Sequence, residues 1–343
     1  MIAAIEFRNF KALRSAAVKL EPFNLLVGPS GSGKTSLIQA LLRLRALAGL
    51  PAEHVVGLPA AEAGAAQITF HFQPPYQELH VVLHCAADEI VCNRLAVEHP
   101  PGLEGERLWA ELRARLLGIR AFLFDHYAMG VPPREAEDKE LNSNAGNLAA
   151  VLAAWRTSAP AAYAHLEGDF RRIMPEFAGL DFRALAGDHV ELVVRPADGS
   201  MPLSADVLSQ GTLHLLAILA LAHAPQPPTI VCLEEADRGT HPRMLREVRD
   251  ALYRLSHPAA SGEKRAPVQV IATTHSPYLL DLYKDHPEEV VLAHRRGRQA
   301  GFTRLAELPD VRELLKEAHL GDLWYSGLLG GVPEEPGEEP NIE

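Results

Sequence analysis

The chain has 343 residues, 47% of them hydrophobic, and a formal net charge of −11 from 44 acidic and 33 basic side chains. This length and composition are typical of a globular protein with one large domain or about two smaller ones, and no run approaches the ~20 apolar residues that span a bilayer. The acidic balance argues against a broadly basic nucleic-acid-binding surface, while local binding stays open because salt screens charges beyond about 8 Å.

The N-terminus and the cysteines predict a cytoplasmic protein. Glu6 and Arg8 fall within the first eight residues, where a secretory signal peptide leads into its apolar core. The three cysteines, Cys85, Cys92 and Cys232, lack both the even-numbered pattern of a disulfide framework and the paired spacing of a zinc site. We therefore expect neither a disulfide framework nor a zinc site.

Taken in chain order, the first hundred residues predict strands, one helix and a small sheet. Short apolar runs over 2–7 and 18–27 are typical of strands. A glycine-rich loop follows them and leads into a helix predicted over 35–48. Over 67–98, apolar runs separated by turn residues predict a small antiparallel sheet.

The remainder of the chain alternates helices and strands. Apolar residues take helical spacing over 104–120 and again over 147–177, where Pro160 separates two helices. The later elements are predicted as strands at 189–195, 229–234 and 268–273, a helix at 242–255 and a hairpin around Arg295–Arg298. The acidic end, 333–343, has the composition of a disordered segment.

The strongest chemical signal is the glycine-rich loop between the strand run FNLLV and the first helix. It has the GxxxxGK[ST] pattern, and its flanking strand and helix disfavour a chance glycine-rich turn. Backbone N–H groups and the helix N-terminus can bind phosphates there. Lys34 would contact the β- and γ-phosphates of ATP, and the Thr35 hydroxyl would hold Mg²⁺. The candidate ATP-binding residues are Gly28, Pro29, Ser30, Gly31, Ser32, Gly33, Lys34, Thr35 and Ser36.

Two carboxylates, Glu234 and Glu235, end the apolar run IVCL. A carboxylate at the end of a strand beside a phosphate loop can hold the metal, and a second one can orient the attacking water. We assign Glu234 to the Mg²⁺ site and Glu235 as the catalytic base. Acids after a strand are commonplace, so this assignment depends on the order of the surrounding motifs.

Two short motifs complete that order. Ser209, Gln210 and Gly211 precede a helix, where they can present donors to a phosphate, and His275 follows a strand, where it can bond a γ-phosphate. Each motif alone equally fits a helix cap or a structural histidine. Together they follow the order phosphate loop, signature, double carboxylate and histidine, which is the sequence plan of an ATP-binding-cassette ATPase.

The chain resembles the ATPase heads of the RecF, SMC (chromosome-maintenance) and OLD (overcoming lysogenisation defect) group over most of residues 1–330. The segments that carry this resemblance are Ile5–Lys11, Phe23–Gly28, LSQGTLHLLAILALA and Glu234–Pro242, where Ala236 replaces the usual proline. The resemblance implies an α/β P-loop NTPase fold, an ABC-type head with an antiparallel β lobe and a helical insertion. We expect a single head over 1–332, with parts at 1–100, 101–186 and 187–332, before the tail at 333–343.

The resemblance also implies a reaction and its partners. Two heads would sandwich two ATP molecules with Mg²⁺, each site completed in trans by the partner's Ser209, Gln210 and Gly211. Lys11 would lie near the phosphates, and Asp237–His241 would face the partner head. The implied protein is a homodimeric clamp or switch in DNA repair or defence against foreign DNA, with a separate effector protein, optional DNA contact and no membrane contact.

Departures from the family pattern keep alternatives open. No coiled-coil arm is evident, and no acidic cluster for a two-metal nuclease follows His275. Gln73 is a candidate for the glutamine that completes the metal site, but it is at least equally well interpreted as an exposed turn residue. A non-hydrolysing ATP-binding regulatory scaffold is the main alternative. A P-loop small-molecule kinase is disfavoured, since it leaves the signature motif and His275 unexplained. A transporter ATPase subunit is disfavoured because the opening strand pattern, the SQGT signature and the long helical insertion fit it poorly.

Three arginines, Arg295, Arg296 and Arg298, crowd the last predicted hairpin. Such a group can contact phosphates. A solvated turn is the more common interpretation of clustered charges, so the sequence assigns these residues no role.

Overall fold

The computed structural model describes residues 1–56, 65–86, 92–135 and 140–329. The predicted acidic tail at 333–343 lies outside these described residues. Within them, no helix is both long and apolar enough to cross a membrane.

The described residues form both strands and helices. The strands are β1 (Ile2–Phe10), β2 (Leu13–Lys19), β3 (Phe23–Val27), β4 (Glu53–Val56), β5 (Ala66–Phe72), β6 (His80–Cys85), β7 (Cys92–His99), β8 (Ile119–Phe122), β9 (Phe177–Leu185), β10 (His189–Pro196), β11 (Leu203–Ser204), β12 (Ile230–Leu233), β13 (Gln269–Thr274), β14 (Val290–Arg296) and β15 (Gln299–Arg304). The helices are α1 (Lys34–Ala48), α2 (Gly105–Leu116), α3 (His126–Gly130), α4 (Leu148–Ser158), α5 (Pro160–Ile173), α6 (Gln210–Ala222), α7 (Leu245–Ser256), α8 (Pro277–Asp281), α9 (Val311–Glu317) and α10 (Leu320–Tyr325).

Two compact units make up the chain. The first consists of Met1–Ile119 and Ile271–Glu343, and the second is the continuous segment Arg120–Val270. The phosphate loop and His275 therefore belong to the first unit, whereas the signature and the double carboxylate belong to the second. The division of a single head at residues 100 and 186 stays a prediction.

The first unit contains a sheet with strand order β2-β1-β5-β6-β7-β4. Its core is antiparallel, with Ile5 opposite Phe70 and Phe7 opposite Ile68, and all four of these side chains are buried. The alternation of apolar and polar residues in β1 and β5 places one face of the sheet in the core. The antiparallel sheet predicted over 67–98 is confirmed, and β1 and β2 extend it.

A second set of strands in the first unit positions the phosphate loop. Its order is β15-β14-β3-β13, with β14 parallel to β3 and antiparallel to β15. Every residue of β3 is buried, as expected for a strand covered on both faces. Helix α1 follows β3 directly after the loop, and it buries Leu37, Ile38, Leu41 and Leu44.

The second unit is built around α6, whose residues from Gly211 to Ala222 are all buried. A helix that is apolar on all sides must be enclosed by its neighbours. One neighbour is α5, since His223 Nε2 bonds Asp169 Oδ2 at 2.8 Å. A three-stranded sheet, β11-β10-β9, and the adjacent strands β12 and β8 complete the unit. The predicted helical insertion, residues 101–186, contains α2 to α5, of which α2 belongs to the first unit. It also contains β8 and β9, which apolar spacing did not reveal.

Cys85 and Cys92 form a disulfide that the sequence interpretation missed. They lie opposite each other where β6 pairs with β7. The sequence analysis expected no disulfide framework and did not foresee this single bond, because the pairing register of β6 and β7, rather than cysteine spacing, brings the two residues together. Cys232 is a buried free cysteine, and burial raises the pKa of its thiol.

Candidate nucleotide-binding site

The phosphate loop is a tight turn between β3 and α1. Gly31 and Gly33 adopt φ angles of +76° and +97°, in the left-handed region that glycine tolerates without a steric penalty. At Gly28, a Cβ would lie 2.0 Å from the carbonyl oxygen of Ala293 in β14. The backbone geometry therefore favours glycine at each of these three positions.

Lys34 closes the mouth of this loop. Its Nζ donates hydrogen bonds to the carbonyl oxygens of Gly28 at 2.6 Å and Pro29 at 3.0 Å, and the residue is only 8% exposed. A phosphate oxygen is a charged acceptor and bonds an ammonium group more strongly than a neutral carbonyl does. Lys34 can therefore exchange its hydrogen bonds to the loop carbonyls for hydrogen bonds to phosphate oxygens.

Other polar groups of the loop suit a phosphate ligand. Ser32 Oγ is buried and has no hydrogen-bond partner among the described residues, and a buried hydroxyl without a partner is costly. The first i→i−4 bond of α1 joins the Leu37 N–H to Gly33 O at 3.0 Å. The first-turn N–H groups therefore face the loop, as they do at helix ends that bind anions. The Thr35 side chain at this helix end is exposed.

Lys11 lies in the turn between β1 and β2, with φ +53°. Its Nζ bonds Gln39 Oε1 on α1 and lies 5.4 Å from the centre of the Phe10 ring. The structure therefore brings Lys11 to the helix that follows the loop. Its proposed contact with the phosphates stays a prediction.

His275 and Gln73 occupy different parts of the first unit. His275 is exposed directly after β13, and the next residue, Ser276, caps α8 through the Leu279 N–H at 3.3 Å. Gln73 is half-buried after β5, and its N–H bonds the carbonyl oxygen of Met1 at 2.9 Å. The roles predicted for both residues stay predictions.

The double carboxylate follows the buried strand β12 in the second unit. The Glu234 N–H bonds Phe122 O in β8 at 2.9 Å. Glu235 is exposed and has φ +52°, an uncommon conformation for a residue with a side chain and one that concentrates at functional sites. Its Oε2 lies 3.6 Å from Arg238 Nε.

The signature residues begin α6. Ser209 is exposed and caps the helix, with its Oγ accepting the Thr212 N–H at 3.2 Å. Gln210 is half-buried and Gly211 is buried. The segment thus presents one hydroxyl at the surface and holds the next two residues against the protein.

The loop after the double carboxylate packs directly against the signature. A Cβ at Gly211 would lie 2.7 Å from Gly239 O, and a Cβ at Gly239 would lie 2.4 Å from Gln210 Cγ. His214, one turn into α6, bonds Ala236 O through Nε2 at 3.1 Å. The sequence analysis missed this connection, although a lone histidine in the otherwise apolar run of α6 was a usable signal.

Burial lowers the pKa of His214 to about 4 from the usual 6.5. The unfolded chain takes up a proton below 6.5 and the folded chain only near 4, so the stabilisation present above 6.5 is lost as the pH falls through this window. We expect the free energy of unfolding to drop by about 2 kcal/mol between pH 7 and pH 5 from this residue alone. Urea unfolding of the wild type and of His214→Gln at both pH values gives the free energy of unfolding of each protein. The contribution of His214 is the difference between the two proteins in how much this free energy changes from pH 7 to pH 5.

The exposed His54 supplies a matched control. His54→Gln should keep the wild-type dependence on pH, whereas His214→Gln should flatten it. If the free energy of unfolding of His214→Gln depended on pH as strongly as that of the wild type, the assignment of a buried, neutral histidine would be contradicted.

Two ATPase family models match the chain. Residues 114–281 match the family described as "AAA domain, putative AbiEii toxin, Type IV TA system", and residues 1–53 match "AAA ATPase domain". No curated protein sequence matches the chain.

Solved structures of SMC heads share the fold. The crystal structure of the SmcHead bound to the C-winged helix domain of ScpA has 14% identity and a TM-score of 0.57, and the match covers 88% of this chain and 96% of that chain. The Smc head domain with an extended coiled coil, bound to the C-terminal domain of ScpA derived from Pyrococcus furiosus, has 13% identity and a TM-score of 0.53, covering 92% and 98%.

The class of protein follows from these matches: an α/β P-loop NTPase with the fold of an ABC-type head, as predicted. The chain thus has the fold of an ABC-type ATPase head, and residues 1–53 and 114–281 match ATPase family models.

Proposed function

We propose that the chain binds Mg²⁺ and ATP at the phosphate loop, hydrolyses ATP, and pairs with a second copy when ATP is bound. The observation that carries this proposal is Lys34, a largely buried cation at the mouth of the loop that donates hydrogen bonds to two neutral loop carbonyls. The Ser32 hydroxyl, which has no hydrogen-bond partner in the described part of the chain, and the α1 N-terminus support it.

In this proposal each predicted residue has a distinct role in the chemistry. Lys34 binds the β- and γ-phosphates, and His275 donates a hydrogen bond to the γ-phosphate. Glu235 accepts a proton from a water whose oxygen attacks the γ-phosphorus. The bond from that phosphorus to the bridging oxygen breaks, and ADP leaves with the electron pair.

The residues present fit a magnesium ion. The Thr35 hydroxyl and the Glu234 carboxylate are hard oxygen donors of the kind that Mg²⁺ prefers, and Thr35 is exposed at the helix end that faces the loop. When bound, the ion would neutralise charge on the phosphate oxygens. Gln73 remains the candidate for a further ligand.

The proposed assembly is a homodimer whose nucleotide sites are completed by the partner's Ser209, Gln210 and Gly211. The exposed Ser209 hydroxyl at the start of α6 supports this, because a helix start can present donors to a phosphate of another chain. We further propose a separate effector protein and a role as a clamp or switch in DNA repair or antiviral defence. Both structural relatives are bound to domains of another protein, ScpA, which supports a protein partner.

Lys34→Ala tests the binding proposal. Loss of a charge-assisted hydrogen bond costs about 1.5–3 kcal/mol, so we expect ATP affinity to fall at least tenfold in calorimetry, with steady-state phosphate release falling alongside it. Lys19→Ala is the matched control, because Lys19 is exposed on β2 and pairs with Glu307 at 3.0 Å. Equal ATP affinity in all three proteins would refute the phosphate-loop assignment. If the wild type bound ATP but released no phosphate, the regulatory scaffold would be favoured.

A further inference from the structure

The hairpin formed by β14 and β15 runs beside the phosphate loop. The last paired position of β14 with β3 is Leu292 with Val27, one residue before the loop begins. The next residue, Ala293, approaches Gly28 so closely that its carbonyl oxygen occupies the space of a side chain. The hairpin therefore continues past the end of β3 alongside the loop.

Arg295 reaches the loop from this hairpin. Its Nη1 lies 2.9 Å from the position that a Cβ on Gly31 would take. Its Nε donates to the carbonyl oxygen of Gly297 at 2.9 Å, which orients the guanidinium. No ion pair with a carboxylate of the described residues neutralises Arg295, which is exposed.

Two further contacts hold the hairpin in place. The Ala300 N–H bonds Ala12 O in the β1–β2 turn at 2.9 Å. A Cβ on Gly33 would contact the side chains of Ala300 and Phe302, both at 3.5 Å. The position of Arg295 is thus set by β-sheet pairing and by packing on the loop itself, rather than by a free turn.

We propose that Arg295 is a second phosphate-binding cation of the nucleotide site, acting together with Lys34 on a nucleoside di- or triphosphate. This inference rests on the proposed binding of ATP at the loop. A guanidinium presents a planar fork of donors that can bond two phosphate oxygens at once, whereas the ammonium of Lys34 acts as a compact point charge. The phosphate group is the chemistry recognised, because the guanidinium occupies the space beside Gly31, which belongs to the backbone that surrounds phosphates in this motif.

Calorimetry with ATP and ADP on Arg295→Ala, Arg295→Lys and Arg298→Ala tests the proposal. Arg298 is the matched control, since it belongs to the same hairpin, is exposed, and is not within 4 Å of a Cβ at Gly31. We expect Arg295→Ala to weaken both nucleotides about tenfold and to reduce the dependence of affinity on salt. Arg295→Lys should recover part of the loss, and Arg298→Ala should bind like the wild type.

Several outcomes would overturn the proposal. Wild-type affinity in Arg295→Ala, with Lys34→Ala defective, would remove Arg295 from the site and leave ATP binding standing. An equal loss in Arg298→Ala would assign the effect to the general charge of the hairpin. A weakened Arg295→Ala without any recovery in Arg295→Lys, and with a lowered melting temperature, would assign Arg295 a structural role. If the wild type bound no ATP, the proposed function itself would fail.

Discussion

Glu235→Gln is expected to lower steady-state ATP hydrolysis by two orders of magnitude or more while ATP still binds. A positioned general base contributes about 10²–10⁴-fold to rate, and glutamine cannot accept the proton. The amide has the shape of the carboxylate and the same branching at Cβ, so the left-handed backbone at this position, φ +52°, is no harder for it to adopt. Phosphate release and ATP affinity, measured on the same preparation, separate chemistry from binding.

The control for this variant is Glu176→Gln, which removes one exposed carboxylate from the same unit. It should hydrolyse ATP at the parent rate. If Glu235→Gln also kept the parent rate, the choice of base would be wrong, and Glu234 would be the next residue to replace. If Glu235→Gln lost ATP binding as well, its carboxylate would be part of the binding site rather than the base alone.

Ser209→Arg is expected to abolish ATP-dependent dimerisation and most turnover, with ATP binding by each chain nearly intact. The phosphate loop lies in the other unit and keeps all its residues. The exposed side chain at 209 would become a long cation at the proposed contact with the partner's γ-phosphate. Loss of the cap to the Thr212 N–H costs about 1 kcal/mol, which the buried helix α6 can tolerate.

Light scattering of the Glu235→Gln protein, with and without Mg²⁺ and ATP, measures this directly. We expect dimers only with ATP, and monomers throughout when Ser209→Arg is added. Ser200→Arg adds the same bulk at an exposed turn of the same unit and should leave the dimer intact. A monomer under every condition, with wild-type turnover independent of dilution, would refute the two-head mechanism.

The sequence predicts the local features of this fold well. The phosphate loop is contiguous, so its spacing alone locates the turn between β3 and α1. The buried strand β12 and the apolar helix α6 are likewise continuous patterns. The order of these motifs then indicates the fold class, which the structural matches confirm.

Contacts between distant segments could not be predicted. Nothing in β1 or β5 states that Phe7 will lie opposite Ile68, because many registers bury the same apolar residues. The packing of Gly211 on Gly239 could not be predicted either, because each glycine taken alone also fits an ordinary turn. The placement of Arg295 depends on pairing between β14 and β3, and a sequence shows only that arginines cluster there.

Gly28 also bears on how the motif should be interpreted in other proteins. Its missing side chain makes room for the carbonyl oxygen of Ala293, a need that arises from the sheet and would exist without any nucleotide. A descendant of this fold that had lost ATP binding would therefore be expected to keep glycine at this position while Lys34 and Thr35 drifted. Selection for folding alone would retain this glycine. In proteins with an incomplete phosphate-loop motif, the lysine is therefore a better indicator of ATP binding than the glycine.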